Sequence, residues 1–108
     1  MGCRKNGQIA RWTTPTIRYK PRAAAVSDIL EIYMTVKQKG AVVIQKSLEE
    51  ASVSEEGYSW LLSQEETGML TEGLLANVQV DYKTQAGLRY TTREKSIDIS
   101  GSARNEVF

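Results

Sequence analysis

Between Ile29 and Gln38 the side chains alternate: Leu30, Ile32, Met34 and Val36 fall on one side, Glu31, Tyr33, Thr35 and Lys37 on the other. A period of two in β-branched and aromatic residues predicts a strand. Gln38-Lys39-Gly40 is a turn, and Ala41 to Leu48 is the returning strand, in which Val42, Ile44 and Leu48 share a face with Lys46. Leu74 to Lys83 alternates again, with Leu74, Ala76, Val78, Val80 and Tyr82 on one face. The turn Gln85-Ala86-Gly87 passes the chain to 88–99. There Leu88 and Tyr90 are in one register and Ile97 and Ile99 in the opposite one, which a break near Thr92–Lys95 reconciles.

Between these hairpins the period changes. Glu55-Glu56-Gly57 links Ala51–Val53 to Tyr58–Leu62, where Tyr58, Trp60 and Leu62 face one way. Ser63-Gln64-Glu65-Glu66 is a Ser-x-x-Glu capping box, with Ser63 as N-cap. Gly68 and Gly73 keep the helix short, with Met69 and Leu70 packing down. Upstream, Thr16, Arg18 and Lys20 alternate with Ile17 and Tyr19 between Pro15 and Pro21, as expected of an edge strand. About seven strands at regular spacing, with one short helix near residues 64–71, predict an all-β antiparallel β-sandwich. The chain divides into a basic, flexible N-terminal arm (1–13), the sandwich (14–100) and a C-terminal tail (101–108).

Composition removes several chemistries. The 108 residues include no histidine and one cysteine, Cys3. That excludes imidazole-based catalysis, an internal disulfide and a Cys-based zinc site. The glutamate pairs 49–50, 55–56 and 65–66 each sit beside a turn or cap and read as solubilising residues, not as paired catalytic acids. No catalytic, metal-binding or cofactor-binding residue is expected. No apolar run approaches the ~20 residues of a membrane span, and no signal-peptide h-region opens the chain, so a soluble protein made in the cytosol is expected.

The net charge of +1 conceals an asymmetry. Residues 1–22 hold Arg4, Lys5, Arg11, Arg18, Lys20 and Arg22 and no acid, whereas 23–82 hold ten acids against Lys37, Lys39 and Lys46. Such an arm can cross its own acidic face, meet an identical neighbour head to tail, or contact nucleic acid. Six cations over 22 positions are sparse for tracking phosphates, which favours protein contact. The candidate interaction residues are therefore Arg4, Lys5, Arg11, Trp12 and Arg18 in the arm, with Val107 and Phe108 as an apolar tip. Trp60 and Tyr58 read first as packing; an outward Trp60 beside Trp12 would offer a platform for sugars.

The run Asp28-Ile29-Leu30-Glu31-Ile32-Tyr33-Met34-Thr35-Val36-Lys37-Gln38-Lys39-Gly40 resembles the opening hairpin of small proteins encoded in phage and prophage tail gene clusters of Gram-positive bacteria. Val43–Ala51, then Trp60-Leu61-Leu62-Ser63-Gln64-Glu65-Glu66-Thr67 and Val78–Lys83, continue the resemblance over residues 14–100. Those proteins are in turn similar to the immunoglobulin-like N-terminal domains of upper baseplate proteins. The resemblance implies an immunoglobulin-like sandwich in a virion structural protein of the tail or baseplate, assembled in multiple copies on other virion proteins without a cofactor. The neck or capsid surface is an alternative position. A nucleic-acid- or glycan-binding accessory module is the alternative function.

Overall fold

The structure is a computed structural model, and it describes residues 7–22, 24–92 and 94–101. Among these residues nine strands form two sheets. They are β1 (Gly7–Ala10), β2 (Thr16–Tyr19), β3 (Ile29–Gln38), β4 (Ala41–Ser47), β5 (Ser52–Ser54), β6 (Gly57–Leu61), β7 (Ala76–Thr84), β8 (Arg89–Thr91) and β9 (Lys95–Ser100). A six-stranded sheet runs β1-β9-β7-β3-β4, with β8 also paired to β7; a three-stranded sheet runs β2-β6-β5. One short helix, α1 (Gln64–Gly68), crosses from β6 toward β7.

This strand order is that of an immunoglobulin-like sandwich. β9, β7, β3 and β4 follow the G, F, C and C′ strands, and β2, β6 and β5 follow B, E and D. The all-β sandwich and the short helix therefore agree with the sequence. The strand number is nine, not seven, and one pairing departs from an antiparallel scheme: β1 lies parallel to β9. Residues 7–10 thus belong to the fold and not to a flexible arm. Ile9, an apolar residue in a polar run, is buried opposite Ile99 and holds β1 on the sheet.

The core lies between the sheets. Ile32, Met34 and Val36 of β3 are fully buried, as are Trp60 and Leu62 on the opposite side, and Ala76, Val78, Val80 and Tyr82 continue the layer on β7. Antibody domains join strands B and F by a disulfide. Here Tyr19 of β2 and Tyr82 of β7 meet across the seam with ring centroids 6.1 Å apart, and Tyr82 stacks on Tyr90 at 5.2 Å. Burial, then Tyr82, pushes the Tyr19 hydroxyl pKa up to about 12. Gly57 is required where β6 begins: its φ is +133°, and a Cβ there would overlap the Tyr19 carbonyl oxygen.

Several side chains face the other way from their expected positions because the ladders carry bulges. The register of β3 against β7 shifts between Ile29 and Glu31, so Ile29 is buried and Leu30 is 48% exposed. A second shift between Val36 and Lys37 puts Val42 opposite Lys37 on the outer face, exposed, while Ile44 stays buried. Met69 is also exposed; only Leu70 packs down from the end of α1. β8 ends at Thr91 and β9 begins at Lys95, on either side of the expected break.

The β3–β4 turn has Lys39 and Gly40 at φ +51° and +75°, the two-residue turn that suits a twisted hairpin. Gln38, expected within that turn, is instead buried. Its Nε2 donates to the carbonyls of Thr71 and Leu74, and its Oε1 accepts from the Thr71 N–H, which fixes the α1–β7 connection.

These positions define a direct test of the β3 register. Leu30→Asp should cost under about 1 kcal/mol, as a surface change does, whereas Ile32→Ala should cost about 2–5 kcal/mol. Urea denaturation of the two variants measures both; equal losses would contradict the bulge.

Candidate interaction surfaces

The first surface is the one that the basic arm was expected to supply. Arg4, Lys5, Val107 and Phe108 lie outside the described residues. Arg11 and Trp12 are spent internally. Arg11 donates to the Gly68 carbonyl at 2.8 Å, its guanidinium sits 5.5 Å from the Trp12 ring centroid, and the ring lies on the Cα of Gly68, where any Cβ would overlap it. Thr13 and Thr67 exchange two bonds, N–H to Oγ1 and Oγ1–H to carbonyl. Trp12 adopts φ +64°, a conformation costly for a bulky residue. The helix packing against its ring holds it there. This segment clamps β1 onto α1, so Arg11 and Trp12 are not a free docking arm. Arg18, in contrast, is exposed on β2.

Lys46 holds two capping boxes together. Its ammonium lies 2.6 Å from a Glu66 carboxylate oxygen and 3.4 Å from one of Glu50. Glu66 is the N3 residue capped with Ser63, and Glu50 that capped with Ser47. The Ser47 carbonyl also accepts from Trp60 Nε1 at 3.0 Å. Trp60 is fully buried, as its reading as a packing residue expects, so it has no face to offer a sugar. The Ser47 N–H, above all, holds the Glu50 carboxyl below its ordinary value, with Lys46 assisting. Burial pushes the Glu66 carboxyl up, but Lys46 and Ser63 together outweigh it and the net direction is down. The bond to Glu66 leads in raising Lys46.

The outer face of the six-stranded sheet is broad and polar. Cross-strand rows run Val42–Lys37–Asn77–Ser96, Gln45–Thr35–Gln79 and Ser47–Tyr33–Asp81–Thr91. Lys37 pairs with Glu94 at 3.8 Å, Thr91 donates to Asp81, and Ser96 donates to Asn77. Tyr33, 41% exposed, is the aromatic residue of this face, beside an open hollow of about 530 Å³ bordered by Glu31, Gln45, Lys83 and Arg89.

The remaining surface is a cleft of about 370 Å³ at the side of the sandwich where the six-stranded sheet extends beyond the three-stranded one. Ile9, Val78, Val80 and Ile97 form its floor. All four residues of β2 line it in succession, so the strand's edge, not one of its faces, borders the cleft. Among the described residues its charged lining is Arg18 and Lys95, both exposed, with no acidic residue. Sequence reasoning selected Arg18 but missed Lys95, Tyr33 and the cleft itself. The proline brackets around β2 marked an edge strand, but only the placement of β1 on the other sheet reveals that the edge borders a cavity. Among the described residues no group of three or more acidic, cysteine or histidine side chains is placed to hold a metal ion, and no helix is long and apolar enough to cross a membrane.

No family model and no curated protein matches the chain. Among solved structures it is similar to murine CRIg, with 13% identity, a TM-score of 0.45, and coverage of 90% of this chain and 92% of that one.

Two predictions follow from the clamp and the capped node. Gly68→Ala should expel the Trp12 ring and red-shift tryptophan fluorescence while the sheet signal in circular dichroism persists; an unchanged spectrum would contradict the clamp. Because Glu50 and Glu66 are depressed in the folded state, their stabilisation is complete above the ordinary glutamate range and is lost as pH falls through the lowered values. Melting temperature should therefore drop below about pH 4.5, and Lys46→Met should flatten that drop.

Proposed function

We propose that the chain is a structural protein of a bacteriophage or prophage-derived virion, a component of the tail or baseplate that works through protein–protein assembly and not through catalysis. The resemblance over residues 14–100 supports the virion setting. The observation that carries the assembly role is the outer face of the six-stranded sheet. The 39 residues of its six strands, about 3.3 Å apart along the chain and 4.8 Å between strands, cover roughly 600 Å². A standard stable joint takes about 800 Å² from each partner, so this one face supplies most of it.

The composition of the face suits that use. Tyr33 stands among Glu31, Asp81, Lys83 and Arg89, which mixes charges of both signs around an aromatic anchor. Asp81 is held by the Thr91 hydroxyl and lies 4.0 Å from Arg89 before any partner arrives, which lowers the entropic cost of docking at that point. A sandwich with its core sealed behind this face is a rigid body, as repeated assembly requires.

Particle incorporation tests the role. Tagged chain expressed during particle production should be found in purified virions by mass spectrometry. Tyr33→Glu, at an exposed position that leaves the core intact, should melt like the parent yet fall at least tenfold in the particle fraction. Absence of the parent chain from particles would overturn the virion reading, and normal incorporation of the variant would overturn the role of the face.

A further inference from the structure

We infer that the cleft beside β2 receives residues 102–108 of a second copy as an added strand, which links copies head to tail. This rests on the assembly role proposed above and names the partner for one of its joints. Three observations converge on it. The edge of β2 that faces the cleft has no ladder partner among the described residues, and an unpaired edge is a template for an extended segment. The floor is apolar. The charged lining is cationic, which calls for an acid in the occupant.

The sequence Ser102-Ala103-Arg104-Asn105-Glu106-Val107-Phe108 meets these demands in one register. Laid antiparallel to β2 with Glu106 opposite Arg18, Val107 falls opposite Ile17 and points to the floor. Phe108 then falls opposite Thr16 on the outer face, next to Leu61, which pairs with Thr16 and is 64% exposed. Two positions are unfavourable: Arg104 faces Lys20 at the far end, and Asn105 falls opposite Tyr19 on the floor side; Lys20 and Glu56 border a separate hollow on the β6 side of β2.

The same register requires a second copy. Ser100 pairs with Ala10, and Gly101 sits against Glu72, so the segment leaves from the α1 end of the sandwich. An antiparallel entry begins at the other end, near Tyr19. To fill its own cleft the segment would have to travel the length of β9, cross β1 and return, roughly 40 Å, whereas seven extended residues reach about 24 Å. A joint between different patches of identical chains is heterologous, and it propagates into a ring or a filament.

Sedimentation velocity of the full chain over a range of concentrations tests the inference. The parent should form species that grow with concentration. Arg18→Glu, at an exposed position, and Glu106→Arg should each weaken association at least tenfold by juxtaposing like charges, and the chain carrying both should recover to within about threefold of the parent. A synthetic peptide of residues 102–108 should dissociate the oligomers and shift the amide resonances of Thr16–Tyr19 and Lys95–Ile97. A parent that stays monomeric, association indifferent to Glu106→Arg, a double variant that does not recover, or peptide shifts confined to other residues would each overturn the inference. Particle incorporation is read separately, so failure here leaves the virion reading standing or falling on its own assay.

Discussion

The structure depends on one apolar seam. Ile32, Met34 and Val36 from β3, with Val78, Val80 and Tyr82 from β7, face Trp60 and Leu62 across a layer from which water is excluded. Each of the larger aliphatic side chains contributes about 1.5–3 kcal/mol by leaving water, and together they offset the cost of ordering the paired strands. Polar groups are admitted to this layer only with partners. Trp60 donates to the Ser47 carbonyl, Tyr58 to that of Val26, and Gln38 uses both ends of its amide.

The seam also determines what the surface can do. Because the inward positions of β3 and β7 are committed to it, the outward positions of the same strands form a polar face. The three-stranded sheet is narrower than the one it covers, and β1 has joined the wider sheet. The uncovered margin between them is the cleft. Both candidate surfaces are thus consequences of how two unequal sheets share one core.

Much of the fold was legible in the sequence because period-two runs report which face is buried. Tyr58, Trp60 and Leu62, and Ala76 to Tyr82, occupy the sides their alternation indicates, and Ser63 caps α1 as its spacing to Glu66 requires. Leu30 and Val42 were misplaced because a bulge inverts the alternation without leaving a mark in local composition. β1 was missed because one buried residue, Ile9, carries it, and its pairing with β9 spans nearly the whole chain. Arg11 and Trp12 looked like a docking arm for the same reason: charge and aromaticity are visible in sequence, but the bare Cα of Gly68 that receives the ring is not. Of the expected interaction residues that the structure describes, Arg18 is exposed, whereas Arg11 and Trp12 are half-buried against α1.

The central claim is that a rigid two-sheet body leaves one sheet edge open for a neighbour. Amide hydrogen exchange of the full chain at low and high concentration tests it most directly. The amides of Ile32–Val36 and Val78–Tyr82 should be the slowest at both concentrations, and those on the cleft edge of β2 should exchange fast when dilute and slow when concentrated. Fast exchange in β3 and β7, or a β2 edge whose protection ignores concentration, would contradict the account.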